Sequence, residues 1–307
     1  MISNISTRRI FLRGFFVLST AALLLTSCTT SPVLPEESAD PIGLLPSAED
    51  YYLLARPAQH PALTAEFLGL MVEVDSTKLN AVMERCESAL FSGRFASPES
   101  ETGISKLPPL SGLVQGDFPA FFLRSSLRSD KGWEKAKRYV YAGPEGLLCD
   151  TAYKDTLLLV SEASRLQPFQ EDVRAGQAGI NLPEDTAAWW RGGQPALLVY
   201  LPDISALPLP NGLPVVPEGS ALEMAFLPED DAYALDLFIH FADSRSARLW
   251  SLGMRFFLAG RLGLSPSPEE QAALQTLDLK TEGASLHLSG WTMSSRAWGS
   301  FLQSVKN

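Results

Sequence analysis

Three histidines and three cysteines are all that a chain of 307 residues offers for imidazole or thiol chemistry. His60, His240 and His287 fall far apart and on separate expected elements, so a His-rich zinc site or a Ser-His-Asp arrangement lacks members. No GxSxG elbow, HExxH helix, Walker loop or GxGxxG turn occurs. Glu229-Asp230-Asp231 gathers carboxylates at an expected hairpin turn, without the further spaced oxygen ligands of a calcium loop. No metal, cofactor or catalytic residue is therefore assigned. Carboxylate pairs that cleave glycosidic bonds follow no spacing rule, so a hydrolase acting on glycan or lipid stands as the alternative to a non-catalytic role.

The cysteines divide into one near the start and two in the body. Cys28 closes a leader in which Arg8, Arg9 and Arg13 precede an apolar run from Gly14 to Ser27, with no acid before Glu36. That run has 14 residues, short of the roughly 20 that span a bilayer as a helix. A charged start, an apolar middle and small residues at the end make an export signal that is removed. Leu25-Thr26-Ser27-Cys28 resembles the lipobox of bacterial lipoproteins. The resemblance implies cleavage before Cys28 and a diacylglyceryl group on its sulfur. Thr29 and Thr30, in place of an aspartate, resemble the pattern of outer-membrane sorting. Thr7-Arg8-Arg9-Ile10-Phe11-Leu12-Arg13 also looks like a twin-arginine motif, so two export routes stay open.

Removing residues 1 to 27 takes away three arginines and no acid, leaving 22 basic against 35 acidic side chains, a net charge of −13. A body of that sign repels nucleic acid and anionic surfaces over most of its face, so no nucleic-acid partner is expected. Residues 28 to 40, lipidated at the first and rich in proline, serine and acid after it, read as a tether reaching about 35 Å when extended. With 46% hydrophobic residues, the remainder can bury a sizeable core.

The body reads as α+β, with antiparallel hairpins packed by amphipathic helices, in two halves at 41–166 and 181–307. In the first half, YYLLA at 51–55 reads as a strand, 61–71 as a short helix, and 75–91 as a helix capped by Asp75. Residues 93–115 read as a loop, 118–127 as a strand, and GLLCD with DTLLLVSE as a hairpin turning near 152–154. In the second half, PALLVYLPD offers a strand and the proline-rich 207–219 a loop. ALEMAFL and AYALDLFIHFA make a hairpin, 244–262 a helix, LDLKT and ASLHLSG a second hairpin, and 294–305 a final helix. Leu45-Pro46 before Tyr51-Tyr52 is echoed by Leu182-Pro183 before Trp189-Trp190, the pattern of a duplicated unit. Cys86, on the apolar stripe of the expected 75–91 helix, and Cys149, on a strand face with Leu147, suit buried positions; a disulfide between them is the other option in an oxidising compartment.

The segment SRSARLWSLGMRFFLAGRLGL, 244–264, carries four arginines and no acid. On a helix Arg245, Arg248, Ser251 and Arg255 share one sector, while Leu249, Trp250, Met254, Phe256, Phe257 and Leu258 occupy most of the remainder. It either covers a sheet or lies in a membrane interface. In the second case Trp250, Met254, Phe257 and Leu258, with Arg248 and Arg255, are the expected contacts with membrane or lipid ligand. The lipobox, the DPIGLLPSAEDYYLL stretch at 40–54 and the amphipathic helices together resemble spirochaetal lipoproteins that insert amphipathic helices into the outer membrane. The expectation is a lipid-anchored envelope protein, partnered by the membrane through Cys28 and binding lipid or another apolar ligand, with a structural subunit of an envelope complex as a further alternative. Intact-mass measurement of native material is expected to find the amino terminus at Cys28 bearing a diacylglyceryl thioether, and Cys28→Ser to shift the chain from the detergent phase to water.

Overall fold

The computed structural model describes residues 41–71, 84–95, 109–130, 132–176, 182–205, 215–264 and 267–306. The leader, Cys28 and the tether lie outside them, as does most of the expected 75–91 helix. Among the described residues twelve strands form one antiparallel sheet in the order β11-β12-β10-β9-β8-β1-β2-β3-β7-β6-β5-β4. At its centre β1 (Tyr51–Ala55) pairs with β8 (Leu197–Leu201) on one side and β2 (Cys86–Gly93) on the other. All five β1 residues are buried, because helices cover both faces there, which is why YYLLA reads as a continuous apolar run and does not alternate.

Outward from the β1–β8 pair, the two arms follow matching connectivity. One runs β1, β2, β3 (Leu110–Gly116), β7 (Thr156–Val160) and β6 (Leu148–Asp150). The other runs β8, β9 (Ala221–Glu229), β10 (Ala232–His240), β12 (Ser285–Met293) and β11 (Asp278–Glu282). In each, a helix leaves the third strand and a hairpin supplies the last two. The mixed α+β architecture with antiparallel hairpins is thus present, in a single sheet common to both segments. The sequence echo is not part of this correspondence: Tyr51-Tyr52 lies on β1, whereas Trp189-Trp190 lies on a helix.

Register assigns the faces. Leu53, opposite Phe91 and Val199, points with Ala55 and Leu197 to the side covered by α1 (Pro61–Met71), α5 (Ser244–Leu264), α6 (Pro268–Thr276) and α7 (Ser295–Lys306). Ala55 opposes Ala89, which opposes Val114, so the cluster under α2 (Ala120–Ser129) lies on that same side. Tyr52, Leu54, Leu90, Leu113, Leu158 and Leu198 point to the other side, under α3 (Ala163–Ala175), α4 (Glu184–Arg191) and the 3-10 turn Pro41–Leu44. The edge strands β4 (Glu134–Lys137) and β11 carry Glu134, Lys135, Lys137, Asp278, Lys280 and Glu282, charges that oppose edge-to-edge pairing.

Several expectations from local pattern are corrected. Cys86–Gly93 is a strand and not the end of a helix, because it is paired on both sides, by β1 and β3; Cys86 and Leu90 at i and i+4 satisfy either period. Leu110–Gly116 belongs to the sheet and not to a loop, since β2 and β7 flank it. Residues 120–129 form a helix and not a strand: Leu123 and Leu127, four apart, pack on the Cys86–Cys149 cluster. In β12, Leu286 and Leu288 face the helices, and so do Trp291 and Met293, three and five residues beyond Leu288. A bulge opposite Asp236 takes up the odd residue, at Gly290 with φ 76°, so that both pairs reach the same core.

Trp298 of α7 is 1% exposed, meets Phe226 and Trp291 edge-on or tilted at 5.0 and 5.2 Å, and donates from Nε1 to the Tyr233 carbonyl at 2.9 Å. Trp298→Ala is expected to cost about 3–5 kcal/mol of unfolding free energy through the cavity left, measured by denaturant titration.

Candidate functional site

The helix α5 begins where Asp243 receives the first free amides: its carboxylate accepts from the N–H groups of Arg245 and Ser246 at 2.8 and 2.9 Å and from the Ser246 hydroxyl at 2.9 Å. The hydrogen bonds with Ser246 hold this carboxyl below the usual carboxylate range. Twenty-one residues follow, extending about 30 Å over the β11–β12 side of the sheet. Among the described residues no helix is long and apolar enough to cross a membrane.

The residues of α5 separate into two apolar sectors. Facing the sheet, Ala247, Trp250 (2% exposed) and Leu258 (8%) are buried, with Met254 and Phe257 packed against the same core. Trp250 lies 5.9 Å from Phe241 and donates from Nε1 to the Val215 carbonyl at 3.3 Å. Facing outward, Leu249 is 55% exposed, Leu252 54% and Phe256 70%, three of the five large exposed hydrophobic side chains among the described residues. Spaced at i, i+3 and i+7, they form one stripe. Arg248 lies beside it, donating from Nε and Nη2 to the Ser244 carbonyl and hydroxyl, both at 3.2 Å. Arg255 donates from Nη2 to the Leu279 carbonyl of β11 at 2.8 Å.

Of the side chains expected to meet lipid, Trp250 and Leu258 are therefore committed to the core, Met254 and Phe257 are half-buried against it, and Arg248 and Arg255 are exposed. The outward stripe is made by Leu249, Leu252 and Phe256 instead. Its signal was present in the sequence, since a helix whose apolar residues run around most of its circumference has more to bury than one sheet can take. Leu252, set between Arg248 and Arg255 on the helix, was concealed by its charged neighbours.

The histidines form networks on the sheet. His240 Nδ1 lies 3.0 Å from the Ser285 hydroxyl, and its Nε2 3.9 Å from Glu223. Glu223 also accepts from the Thr186 hydroxyl at 2.8 Å. His287 contacts Asp236 and stacks on Phe238 at 4.1 Å. His60 faces the Tyr233 hydroxyl at 3.3 Å, and burial lowers its pKa, with Arg56 adding to the effect. Among the described residues no three histidine, cysteine or acidic side chains gather as a metal site.

A recess of about 200 Å³ lies between the starts of α6 and α7, where Glu269 accepts from the Ser294 N–H at 2.6 Å and Ser267 Oγ from the Glu270 N–H at 3.3 Å. These contacts cap helices and present no aligned acid and nucleophile. An open groove of about 560 Å³ is lined by Glu87, Asp117, Lys154 and Asp155. Neither recess is lined by residues of α5.

Cys86 and Cys149 are both free and buried. The disulfide option is corrected: β3 and β7 separate their strands, β2 and β6, in the sheet, a separation of about 14 Å at ordinary strand spacing. Burial pushes both thiols up to about 12.

No protein-family model and no curated protein sequence matches the chain. Solved structures do. Crystal form III of TP0453, a treponemal protein, superposes with a TM-score of 0.62 at 15% identity, covering 87% of this chain and 98% of that one. Crystal form I gives 0.61 at 14%, covering 87% and 98%, and form IV gives 0.60 at 14%, covering 86% and 96%. At this identity the likeness is one of fold, extending over nearly the whole of TP0453. A thiol-reactive chromophore is expected to leave Cys86 and Cys149 unmodified in the native chain and to label both on unfolding; prompt labelling of either in the native state would contradict their placement.

Proposed function

We propose that this chain is a lipid-anchored protein of the bacterial outer membrane that associates with the bilayer through the outward face of α5 and has no catalytic role. The observation that carries the reading is the stripe of Leu249, Leu252 and Phe256, exposed on a helix whose opposite side is already buried. Bringing each of these side chains fully out of water is worth about 1.5–3 kcal/mol, and a bilayer interface captures part of that. The packing of Trp250 and Leu258 into the core favours bilayer contact over a ligand held between helix and sheet.

Two further facts support it. The Leu25-Thr26-Ser27-Cys28 sequence would place an acyl anchor at Cys28, and an anchored body meets the membrane at high effective concentration, so a weak helix contact suffices. The fold is shared with TP0453, an outer-membrane-associated spirochaetal lipoprotein. In this reading acyl chains hold the protein to the membrane and α5 sets which way the body faces.

The test is vesicle flotation of the mature chain carrying Cys28→Ser, which removes the acyl contribution. Association with vesicles is expected, and Phe256→Ser should weaken it roughly tenfold with an unchanged unfolding midpoint. Failure to float with vesicles of any composition would overturn the proposal.

A further inference from the structure

The charge around the stripe points to the kind of surface that receives it. Four of the 25 basic residues of the chain lie in α5, and no acid does, although the mature chain carries 35 acidic side chains against 22 basic ones. Arg248, Leu252 and Arg255 recur at i, i+4 and i+7, so two guanidinium groups run along one edge of the apolar stripe. Arg245 is exposed at its amino-terminal end. Arg248 and Arg255 bond neutral oxygens, those of Ser244 and Leu279. Among the described residues no carboxylate forms an ion pair with either.

From this arrangement we infer that the outer face of α5 binds anionic phospholipid headgroups, with Arg245, Arg248 and Arg255 taking lipid phosphates while Leu249, Leu252 and Phe256 enter the acyl boundary. The inference rests on the reading of α5 as a bilayer contact and names the lipid class it selects. A planar guanidinium presents several N–H donors, so an arginine that spends one or two on backbone or hydroxyl oxygens keeps others for a phosphate. The acidic remainder of the body does not prevent this. At physiological salt the screening length is about 8 Å, so charges in contact with the surface dominate over carboxylates farther away. Screening also makes the attraction local to α5, which orients the body as well as binding it. A zwitterionic surface would satisfy the apolar stripe and leave the arginines without a matching negative field.

Flotation of the mature Cys28→Ser chain is compared on vesicles of phosphatidylcholine alone and of phosphatidylcholine mixed with phosphatidylglycerol. Association with the mixed vesicles is expected to exceed that with neutral ones by more than tenfold and to fall as sodium chloride is raised. Each arginine contributes roughly a fivefold factor, which Arg245→Gln with Arg248→Gln should remove while the lysine versions retain most of it. Both side chains are exposed and Arg248 gives up only its contacts with Ser244 one turn away, so the unfolding midpoint should move little; Arg255→Gln, which gives up the contact with Leu279 of β11, serves as a third variant. Inorganic phosphate at matched ionic strength is expected to act no differently from chloride, and full competition by it would replace the headgroup with a free-phosphate site. Equal association with neutral and mixed vesicles, or full retention by the glutamine variants, would overturn headgroup selection and leave the bilayer contact standing. Association with neither vesicle would overturn the bilayer contact itself. A chain that sediments as a dimer through Leu249, Leu252 and Phe256 in the absence of vesicles would assign the stripe to a second copy and overturn the inference.

Discussion

The structure turns on one mismatch: α5 carries apolar residues around most of its circumference, and a sheet can accept only one side of a helix. Trp250, Ala247 and Leu258 take that side, filling the space over Phe241, Leu279 and Leu288. The arrangement is forced by the sheet itself, because β10 and β12 present Leu235, Ile239, Leu286, Leu288 and Trp291 to one face and those side chains need cover. What remains on α5 is surplus to folding. Three large apolar side chains stay exposed on one helix beside arginine, and the proposed bilayer contact rests on them.

The rest of the molecule makes that surface usable. The central strand is buried on both faces and the edge strands carry charges that disfavour pairing with a further strand. Glu49, just before β1, is buried and held by Arg165 of α3 at 2.8 Å and by Arg94 at 3.5 Å, tying the start of the sheet to its second helical layer. With α5 fixed on this frame, Leu249, Leu252 and Phe256 are exposed while the core stays closed. In the proposed reading the arginines of α5 border the strip that meets an anionic interface.

Hairpins and long periodic helices were legible in the sequence, and strands with partners on both sides were not. Ala221–Glu229 with Ala232–His240, Asp278–Glu282 with Ser285–Met293, and α5 all follow their local pattern. Leu110–Gly116 and Cys86–Gly93 do not, because their conformation is set by neighbours distant in the chain, and a short apolar run fits helix and strand alike. Residues 163–175 form a helix despite Pro168, which removes a backbone donor from its interior. For α5 the sequence showed a wide apolar surface and its arginines but could not say which sector the sheet would claim. That choice fell to Trp250 and Leu258, which reach the core, and so moved the candidate contact to Leu249, Leu252 and Phe256.

Hydrogen exchange of the mature chain with and without anionic vesicles addresses the central claim most directly. If the outer sector of α5 meets the bilayer while its inner sector stays on the sheet, amides in 244–260 gain protection and those of β10 and β12 keep theirs. Unchanged exchange in α5, or lost protection across β10 and β12, would contradict the account.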